Sequence, residues 1–582
     1  MTSPDIPPLT EVLAATVAAV EAEGERLLAE FHLPGGPRGA GSKAPIDVEI
    51  ELRLRAALQR ALPCSFIGEE TGQTLCEGRG AVEGWAWIVD PHDATSDFLK
   101  GIRGSSISVG LVRGSVPVLG VVHAPASPDR GRETFAWAEG AGPLRRNGRP
   151  VSCELRGGTL APGSIVFATA SSALRPLGFS RAVAPARFVA LASIAHRMAR
   201  VAAGDGVATL SIHQVNEYDI AAGAALLRAC GGAVLDFSGR EVVFTGRPGV
   251  LVSGCFAGAP QAAAQLARFD WSAVAREEHR PRRTSTSYPK VADAERLARA
   301  QGCLLGQAVG DRLCAPVEVA SAQGIAGQPG TGTELLLALA RSMLAAGHYD
   351  ANAAFAAYRA WLASAPNAIG RSTRAALQGS PDAASDSNGV LLRVSPIGVW
   401  AAGDPARAAA AAREDAALTH PNPVCVDASA ACAAAIAAGV AGGSRDAMLR
   451  AALAHAAPTH ATNAARSAIE RAAQGEAVHD FAHARGGVSI ALQTAFFHLL
   501  RGSDLEKALA ATANAGGDAG ANAAIAGALL GAAAGIEAIP QRWVASVLAC
   551  RPLVEAGAAR PRPMDYWPDD LLDIAEALLR LA

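Results

Sequence analysis

One short acidic segment in the first half of the chain could hold a metal ion. The segment 87–98 reads WIVDPHDATSDF, in which Asp90 and Asp93 follow a predicted buried strand over residues 87–89. Because proline ends the hydrogen-bond ladder of a strand, we expect both carboxylates at a strand end, where binding sites form. Two carboxylates at this spacing can converge on one hard cation, and Thr95 can hold a water. A helix start after Asp93 would present backbone N–H groups to an anion.

Two further acidic elements lie before and after this segment. The sequence IGEETG over residues 67–72 places Glu69 and Glu70 after a short apolar stretch. The sequence EYDIAAG over residues 217–223 places Asp219 at the start of a small-residue helix. Ligands that are all oxygen atoms suit Mg²⁺ rather than zinc or copper. The three elements together therefore predict a magnesium site.

In their order and spacing, these elements resemble the inositol monophosphatase superfamily over about residues 10–260. Its members carry Gly-Glu-Glu, then apolar-Asp-Pro-apolar-Asp-Gly-Thr-x-Asn-Phe, then Trp-Asp-x-Ala-Ala-Gly. The resemblance implies a layered α/β fold (αβαβα) and Mg²⁺-dependent hydrolysis of phosphate esters. It implies catalytic roles for Glu70, Thr95 and Asp93, the first two by orienting the attacking water, and phosphate binding by the N–H groups of Ala94 and Thr95. The implied metal ligands are the side chains of Glu70, Asp90, Asp93 and Asp219 and the backbone carbonyl of His92.

Four positions depart from the superfamily pattern. An alanine at the usual glycine position keeps the N–H group, but it needs a negative φ to avoid strain, and its methyl group would narrow the phosphate pocket. Upstream, the chain lacks a clear Val-Thr-x-x-Asp in the region that helps hold an extra metal ion in the superfamily, and Asp47 and Glu51 are the candidates there. Two interpretations stay open: an active phosphatase, and a former metal site that no longer functions. The four departures are His92 for an apolar residue, Ala94 for glycine, Asp97 for asparagine and Tyr218 for tryptophan.

The second half of the chain predicts an all-α domain. Long alanine- and leucine-rich runs, such as residues 333–346 and 427–439, are punctuated by glycine and proline and show almost no strand signal. An ordered series of motifs, including 302–313, 387–398 and 516–527, resembles the ADP-ribosylglycohydrolase family over residues 293–582. That resemblance implies a central cleft in which family members use two Mg²⁺ ions to cleave glycosidic bonds of ADP-ribose.

Most of the metal ligands implied by this second resemblance are missing. The family has Thr-Asp-Asp-Thr where this chain has GTGT at 330–333, and Gly-Gly-Asp-x-Asp-Thr where it has GGDAGA at 516–521. One carboxylate cannot hold two divalent ions against water, so we expect no metal cofactor in this domain. Binding without cleavage and metal-free chemistry both stay open. The cleft candidates are Asp311, Thr333, Glu334, His420 and Asp518, with His460 as a further acid or base.

The length of 582 residues fits two domains joined by a linker. Apolar periodicity stops in the polar, proline-containing segment 273–292, which gives domains over 1–272 and 293–582. In the first domain, residues 10–31 and 49–61 are predicted helices. A net charge of −2 and a charged fraction of 18% argue against a nucleic-acid binder. The chain shows neither a strongly apolar 18-residue run nor a signal sequence, so no membrane span and a cytoplasmic protein are expected.

We therefore expect a Mg²⁺-dependent phosphomonoesterase fused to a helical domain without its metal centre. The expected partner is a small phosphorylated sugar, polyol or nucleotide, and a homodimer is compatible with the resemblance. The helical domain would bind a ribosyl or nucleotide ligand, or process it without metal. Two alternatives stay open: a non-catalytic regulator that senses a nucleotide or ADP-ribose, and a metal-free glycosidase or lyase led by the second domain.

Overall fold

In the computed structural model, the chain divides into two compact units, the first comprising Met1–Arg282 with Thr286–Lys290 and the second Arg283–Ser285 with Val291–Ala582. The segment predicted as a linker contains a short helix, α8 (Ser272–Arg276). It is also divided between the two units, so the domain boundaries of the sequence analysis remain a proposal. The structure describes residues 6–75, 82–247, 249–313, 328–456, 463–479, 481, 486–554, 558 and 560–581.

A first sheet of eight strands lies against two N-terminal helices. The helices, α1 (Leu9–Phe31) and α2 (Pro45–Ala61), pack on the strand face opposite α6. Strand order is β2-β1-β3-β4-β5-β6-β7-β8, with β1 and β3 parallel and the other neighbours antiparallel. The strands are β1 (Ser65–Gly68), β2 (Gly72–Thr74), β3 (Trp85–Asp93), β4 (Ser106–Arg113), β5 (Val116–Ser127), β6 (Gly131–Ala138), β7 (Arg145–Arg146) and β8 (Arg149–Pro150).

A second sheet of five strands completes the first unit. Its order is β10-β9-β11-β15-β13, and β12 pairs with β14 separately. Helices α5 and α6 pack between the sheets, and α7 packs on the outer face of the second sheet. These elements form five layers, αβαβα. They are α3 (Thr95–Leu99), β9 (Ile165–Ala168), α4 (Pro176–Val183), β10 (Arg187–Ala190), α5 (Ile194–Ala202), β11 (Ala208–Ser211), β12 (Val215–Asn216), α6 (Glu217–Ala229), β13 (Ala233–Leu235), β14 (Leu251–Val252), β15 (Cys255–Gly258) and α7 (Pro260–Ala267).

Glycines in the first sheet bring α6 close to it. A methyl group on Gly110 would lie 2.9 Å from the Cβ of Ala221, and one on Gly120 would collide with the carbonyl oxygen of Ala222. Close packing of a helix on a strand needs small residues on both sides. The small residues after Asp219 are therefore explained by packing, and this packing fixes the start of α6 above β3 and β4.

The second unit consists of helices α9–α22 in the part of the chain that the structure describes. Its central pair, α9 and α20, packs through glycines, because a methyl group on Gly302, Gly306 or Gly310 would collide with the backbone of α20. The helices are α9 (Ala294–Leu313), α10 (Thr331–Ala346), α11 (Ala351–Ala363), α12 (Arg371–Leu377), α13 (Ser395–Trp400), α14 (Pro405–Ala417), α15 (Pro423–Val440), α16 (Arg445–His455), α17 (Ala464–Ala473), α18 (Val488–Leu500), α19 (Leu505–Asn514), α20 (Ala519–Ala534), α21 (Gln541–Leu548) and α22 (Leu571–Arg580).

One helix of this unit, α15, is long and apolar enough to cross a membrane by length and composition alone. Within the unit, 78% of its apolar window is buried. It contacts α13, α14, α16 and α20, as the core helix of a bundle does.

Candidate active site

Asp90 and Asp93 both lie in β3, which continues to Asp93. Asp90 pairs with Ser108 and Asp93 with Ser106 of β4, and the register shifts between the two pairs. Pro91 has no N–H to donate, and it is tolerated here because the hydrogen-bond ladder is already interrupted between Asp90 and Asp93. The prediction that Pro91 ends the strand is therefore wrong: the strand continues to Asp93, and only its hydrogen-bond ladder is interrupted.

Asp90 and Asp219 are each held by a backbone N–H group through one carboxylate oxygen. The N–H of His92 donates to Asp90 Oδ1 at 2.8 Å. The N–H of Asn216 donates to Asp219 Oδ2 at 2.7 Å, in a capping box at the start of α6. The backbone holds only one oxygen of each carboxylate, which is the arrangement of a metal ligand oriented by the protein.

The N-terminal turn of α5 holds Asp93. The hydroxyl of Ser193 donates to Asp93 Oδ2 at 2.5 Å, and the N–H of Ala195 donates to the same oxygen at 2.8 Å. In the next turn, Arg197 is 3% exposed and donates from Nε to the carbonyl oxygen of Ser193 at 3.2 Å. Burial lowers the pKa of Arg197 to about 10, although Asp93 opposes the shift. Ser193, Ala195 and Arg197 were not predicted from the sequence, because they lie far from Asp93 along the chain and carry no motif.

The carboxylates of the site lie close to one another, with Asp90 buried and Asp93 and Asp219 half-buried, and their pKa values rise. Burial raises the pKa of Asp90 well above its ordinary value, and the charges of Glu69, Asp93 and Asp219 raise it further. Burial is also the main cause that raises the pKa values of Asp93 and Asp219. Asp90 lies within hydrogen-bond reach of the carboxylates of Glu69 and Asp219. Such contacts between acids need a proton or a cation between them.

Glu69, rather than Glu70, stands closer to this group of acids. Burial of its carboxylate and the charges of neighbouring acids raise the pKa of Glu69 to about 7. The N–H of Glu70 donates to Glu51 Oε2 at 2.8 Å, and Gly68 leaves room for the Glu51 carboxylate, which a methyl group there would strike. The sequence showed the Glu-Glu pair, but only the fold shows which member approaches Asp90.

Asp47 connects two of the predicted site residues. His92 Nδ1 lies 2.6 Å from Asp47 Oδ1, and the hydroxyl of Thr95 lies 3.2 Å from Asp47 Oδ2. The Thr95 hydroxyl is also 2.8 Å from the carbonyl oxygen of His92, the predicted metal-ligating carbonyl. The ring of His92 is buried edge-on against Phe98, with centroids 4.4 Å apart. Asp47 thus aligns the Thr95 hydroxyl, a role that the sequence left without an assignment.

Ala94 adopts the conformation that its superfamily glycine would allow at lower cost. Its φ is 76° and its ψ is 37°, in the left-handed region, directly before α3. An alanine in this region is strained by about 1 kcal/mol relative to glycine. Ala94 therefore has a backbone conformation that glycine adopts without strain, and its methyl group causes the strain.

The remaining two departures also lie at the group of acids. Burial raises the pKa of Asp97, while Lys100, Arg282 and Arg197 oppose the rise. Burial raises the pKa of Tyr218 as well, and the charges of Glu69 and other acids add to this. Two of the cations near Asp97, Lys100 and Arg282, come from outside the motif segment, so the extra negative charge is partly balanced.

The donor set suits a hard divalent cation. Its side-chain donors are carboxylate oxygens, and like charges with raised pKa values favour a cation among them. Residues that would hold it are Asp90, Asp93, Asp219, Glu69 or Glu70 and the carbonyl of His92. Among the described residues, no three His, Cys, Asp or Glu side chains already stand in metal-binding geometry. The fit therefore rests on donor chemistry and electrostatics.

In the second unit, Asp311 and Glu334 are both engaged by neighbouring groups. The N–H and hydroxyl of Thr333 each donate to Asp311 Oδ2 at 2.7 Å, which caps the start of α10. Glu334 is 2% exposed and receives Arg562 Nε at 2.7 Å and Trp361 Nε1 at 2.7 Å. Burial raises the pKa of Asp311. Glu334 is thus a buried ion-pair member and does not face open solvent.

His420 and Asp518 differ in their surroundings. His420 is 1% exposed, its Nδ1 lies 2.8 Å from Thr419 Oγ1, and its Nε2 has no hydrogen-bond partner in the described structure. Burial and Arg393 lower the pKa of His420 to about 3, so the ring is neutral. Asp518 is exposed, and a methyl group on Gly486 would lie 3.5 Å from its Oδ2. His460 lies outside the described residues.

Comparison with family models decides the relationship of each half. Residues 9–273 match the inositol monophosphatase family, and residues 292–581 match the ADP-ribosylglycohydrolase family. A histidinol-phosphatase of Mycobacterium tuberculosis is 30% identical over 207 residues, which cover 33% of this chain and 73% of that protein. The N-terminal domain belongs to the inositol monophosphatase family. It is a phosphoric monoester hydrolase domain, and the αβαβα fold and the family resemblance are confirmed.

One further relative and one solved structure are similar to parts of the chain. A fructose-1,6-bisphosphatase/inositol-1-monophosphatase of Thermotoga maritima is 36% identical over 159 residues, 27% of this chain and 58% of that protein. A solved ADP-ribosylglycohydrolase-related protein complex is 27% identical and covers 49% of this chain and 99% of that chain, with a TM-score of 0.39. By the family models, the chain joins an inositol monophosphatase domain to an ADP-ribosylglycohydrolase domain, whose all-helical class was also predicted correctly.

Proposed function

We propose that the N-terminal domain hydrolyses the phosphate monoester of a small metabolite with Mg²⁺. The group of buried carboxylates around Asp90 carries this proposal, because their raised pKa values mark a site that favours a cation. The family relationship supports the reaction class. The names of relatives, a histidinol-phosphatase and a fructose-1,6-bisphosphatase/inositol-1-monophosphatase, support a small phosphorylated sugar, polyol or related metabolite. Neither nucleic acid nor a membrane is part of the proposal.

The chain's own residues divide the work of hydrolysis. Bound Mg²⁺ supplies charge neutralisation for the phosphate and acidifies water. Asp90, Asp93 and Asp219 orient one carboxylate oxygen each through N–H bonds and offer the other. Thr95, aligned by Asp47, holds the attacking water by its hydroxyl, and Glu70 stands beside Asp47 to assist. The first N–H groups before and in α3, those of Ala94 and Thr95, have no acceptor within the helix and can bind phosphate oxygens.

Phosphate release from a panel of substrates tests this function. The panel contains inositol phosphates, sugar phosphates, histidinol phosphate and adenosine bisphosphate, each with and without Mg²⁺. We expect Mg²⁺-dependent turnover of at least one member and a loss of at least 1,000-fold in Asp93→Asn, because the variant removes a charge from the proposed cation site. The matched control is Asp236→Asn, on an exposed turn. No turnover by the wild-type protein, together with no Mg²⁺ binding, would instead favour the non-catalytic regulator.

We further propose that the C-terminal domain binds a ribosyl or nucleotide ligand without a dinuclear metal centre. The four acid or base candidates within the described residues are engaged, neutral or exposed: Glu334 is paired with Arg562, His420 is neutral, Asp311 caps a helix, and Asp518 is exposed. This distribution favours binding over metal-free catalysis. Thr419 Oγ1 accepts from Arg393 Nη2 at 2.7 Å and lies 2.8 Å from His420 Nδ1. In the proposed tautomer the Thr419 hydroxyl donates to Nδ1, and Nε2–H is a buried donor to a ligand oxygen.

Two measurements on the full chain test the second proposal. Metal analysis of Asp93→Asn should find no tightly bound divalent ion, because the remaining half has no intact ligand set. Calorimetry with ADP-ribose should show binding that weakens at least tenfold in His420→Ala and not in His348→Ala, an exposed histidine. Two bound metal ions in Asp93→Asn, or release of ribose products from ADP-ribosyl substrates, would contradict it.

A further inference from the structure

Two cysteines of the first unit lie at the same end of α5. The thiol of Cys153 lies 3.9 Å from the carbonyl oxygen of Val201, and the thiol of Cys230 lies 3.2 Å from that of Ala202. These are consecutive carbonyls at the C-terminal end of α5, so both sulfur atoms lie at that end of the helix.

The backbone around both cysteines is fixed by contacts between their segments. The N–H of Leu155 donates to the carbonyl oxygen of Cys230 at 2.9 Å. A methyl group on Gly231 would lie 2.9 Å from the carboxylate of Glu154, so the segment after Cys153 runs directly beside the end of α6. A disulfide needs two cysteines whose backbones approach closely, and these contacts hold the segment that follows Cys153 against the segment that contains Cys230.

The two thiols differ in exposure and acidity. Cys153 is partly exposed, whereas every other free cysteine among the described residues is buried, including Cys230. Interaction with the Cys230 side chain lowers the pKa of the Cys153 thiol, while burial opposes this. Interaction with Cys153 and burial raise the pKa of the Cys230 thiol. An accessible thiol of lowered pKa beside a buried thiol is the arrangement of an attacking and a resolving cysteine.

We propose that Cys153 and Cys230 form a reversible disulfide by exchange with a small-molecule disulfide such as oxidised glutathione. The Cys153 thiolate attacks one sulfur of the small disulfide, and one small thiol leaves with the proton. The Cys230 thiolate then attacks the Cys153 sulfur, and the second small thiol leaves. Two protein thiols are oxidised and one small disulfide is reduced. The new bond would join the segment before β9 to the end of α6, whose first turn carries Asp219.

Peptide mapping of the native full chain tests this proposal. The protein is incubated with oxidised glutathione, quenched in acid, alkylated and digested without reduction. We expect the peptides of Cys153 and Cys230 to be joined before any other pair, to have lost two hydrogens, and to separate again with dithiothreitol. The linked protein should also melt roughly 5 °C or more higher, because the bond closes a long loop.

Two variants separate the steps. In Cys230→Ser, Cys153 should accumulate as the mixed disulfide with glutathione, because the resolving thiol is gone. In Cys153→Ser, Cys230 should stay reduced, whereas Cys64→Ser should leave the crosslink unchanged. The proposal is overturned when the wild-type protein stops at the mixed disulfide, when Cys230 oxidises without Cys153, or when a different pair forms first.

Discussion

The two halves of this chain use buried carboxylates in opposite ways. In the first unit, Asp90, Asp93 and Asp219 face one another with raised pKa values, and the nearby Arg197 makes no salt bridge in the described structure. In the second unit, Glu334 is paired bidentately with Arg562. Acids without counterions repel one another, and a bound cation relieves that repulsion. The charge of a paired acid is already neutralised by its partner within the fold. The same residue type thus marks a site in one half and a structural contact in the other.

Removing the charge of Glu334 should produce the largest loss of stability. In Glu334→Gln the buried guanidinium of Arg562 loses its counterion, which costs about 3–5 kcal/mol in the free energy of unfolding of the second unit. Calorimetric melting should show a lower transition for this unit, and phosphatase activity at temperatures below it should be unchanged. The matched control is Glu470→Gln, in an exposed pair with Arg466, which should cost less than about 1 kcal/mol. Equal effects of the two variants would remove the contrast between the halves.

Removing a carboxylate charge in the first unit should raise the stability of the metal-free protein rather than lower it. Asp90→Asn keeps the acceptor oxygen for the N–H of His92 but removes one of the repelling charges. We therefore expect the metal-free variant to melt at a higher temperature than the wild type, while Mg²⁺ no longer raises its melting temperature and activity is lost. A lower melting temperature without metal would show that Asp90 is not held against its electrostatic preference.

The melting temperature of the metal-free protein should fall as pH rises. Because the folded pKa of Glu69 is about 7 and its unfolded value is 4.5, the folded state binds more protons between these values. The contribution of Glu69 is complete below about pH 4.5 and is lost as pH rises through about 7, and the raised pKa values of Asp90 and Asp219 act in the same direction. Mg²⁺ should stabilise the protein more at pH 8 than at pH 5. Melting curves in chelator and in Mg²⁺ measure this, and a rise with pH in chelator would contradict it.

The sequence predicted most of the fold and the centre of the site for physical reasons. Family motifs and hydrophobic periodicity located β3 and the start of α6, because local sequence sets both elements. The predicted helix over 49–61 begins instead at Pro45, since proline is well suited to the first helical position. The four added residues place Asp47, which the sequence named only as a candidate, in the first turn of α2, where it contacts His92 and Thr95. Ser193 and Arg197 could not be predicted, because only tertiary packing brings α5 to Asp93.

The smallest effect should come from substitution of Ala94. A second alanine with positive φ, in the other unit, serves as its control. Ala94 has φ 76° beside the acids, and Ala365 has φ 53° in the second unit, outside the proposed sites. Substitution of either alanine by glycine should stabilise its own unit by about 1 kcal/mol, because glycine adopts this conformation without strain. The greater entropy of glycine in the unfolded chain reduces this gain. Only Ala94→Gly should also raise kcat/KM, since it removes the methyl group from the phosphate pocket. An equal gain in stability with no change in kcat/KM would show that the methyl group lies clear of the substrate, and a loss of activity would show that this chain's pocket has been built around the alanine.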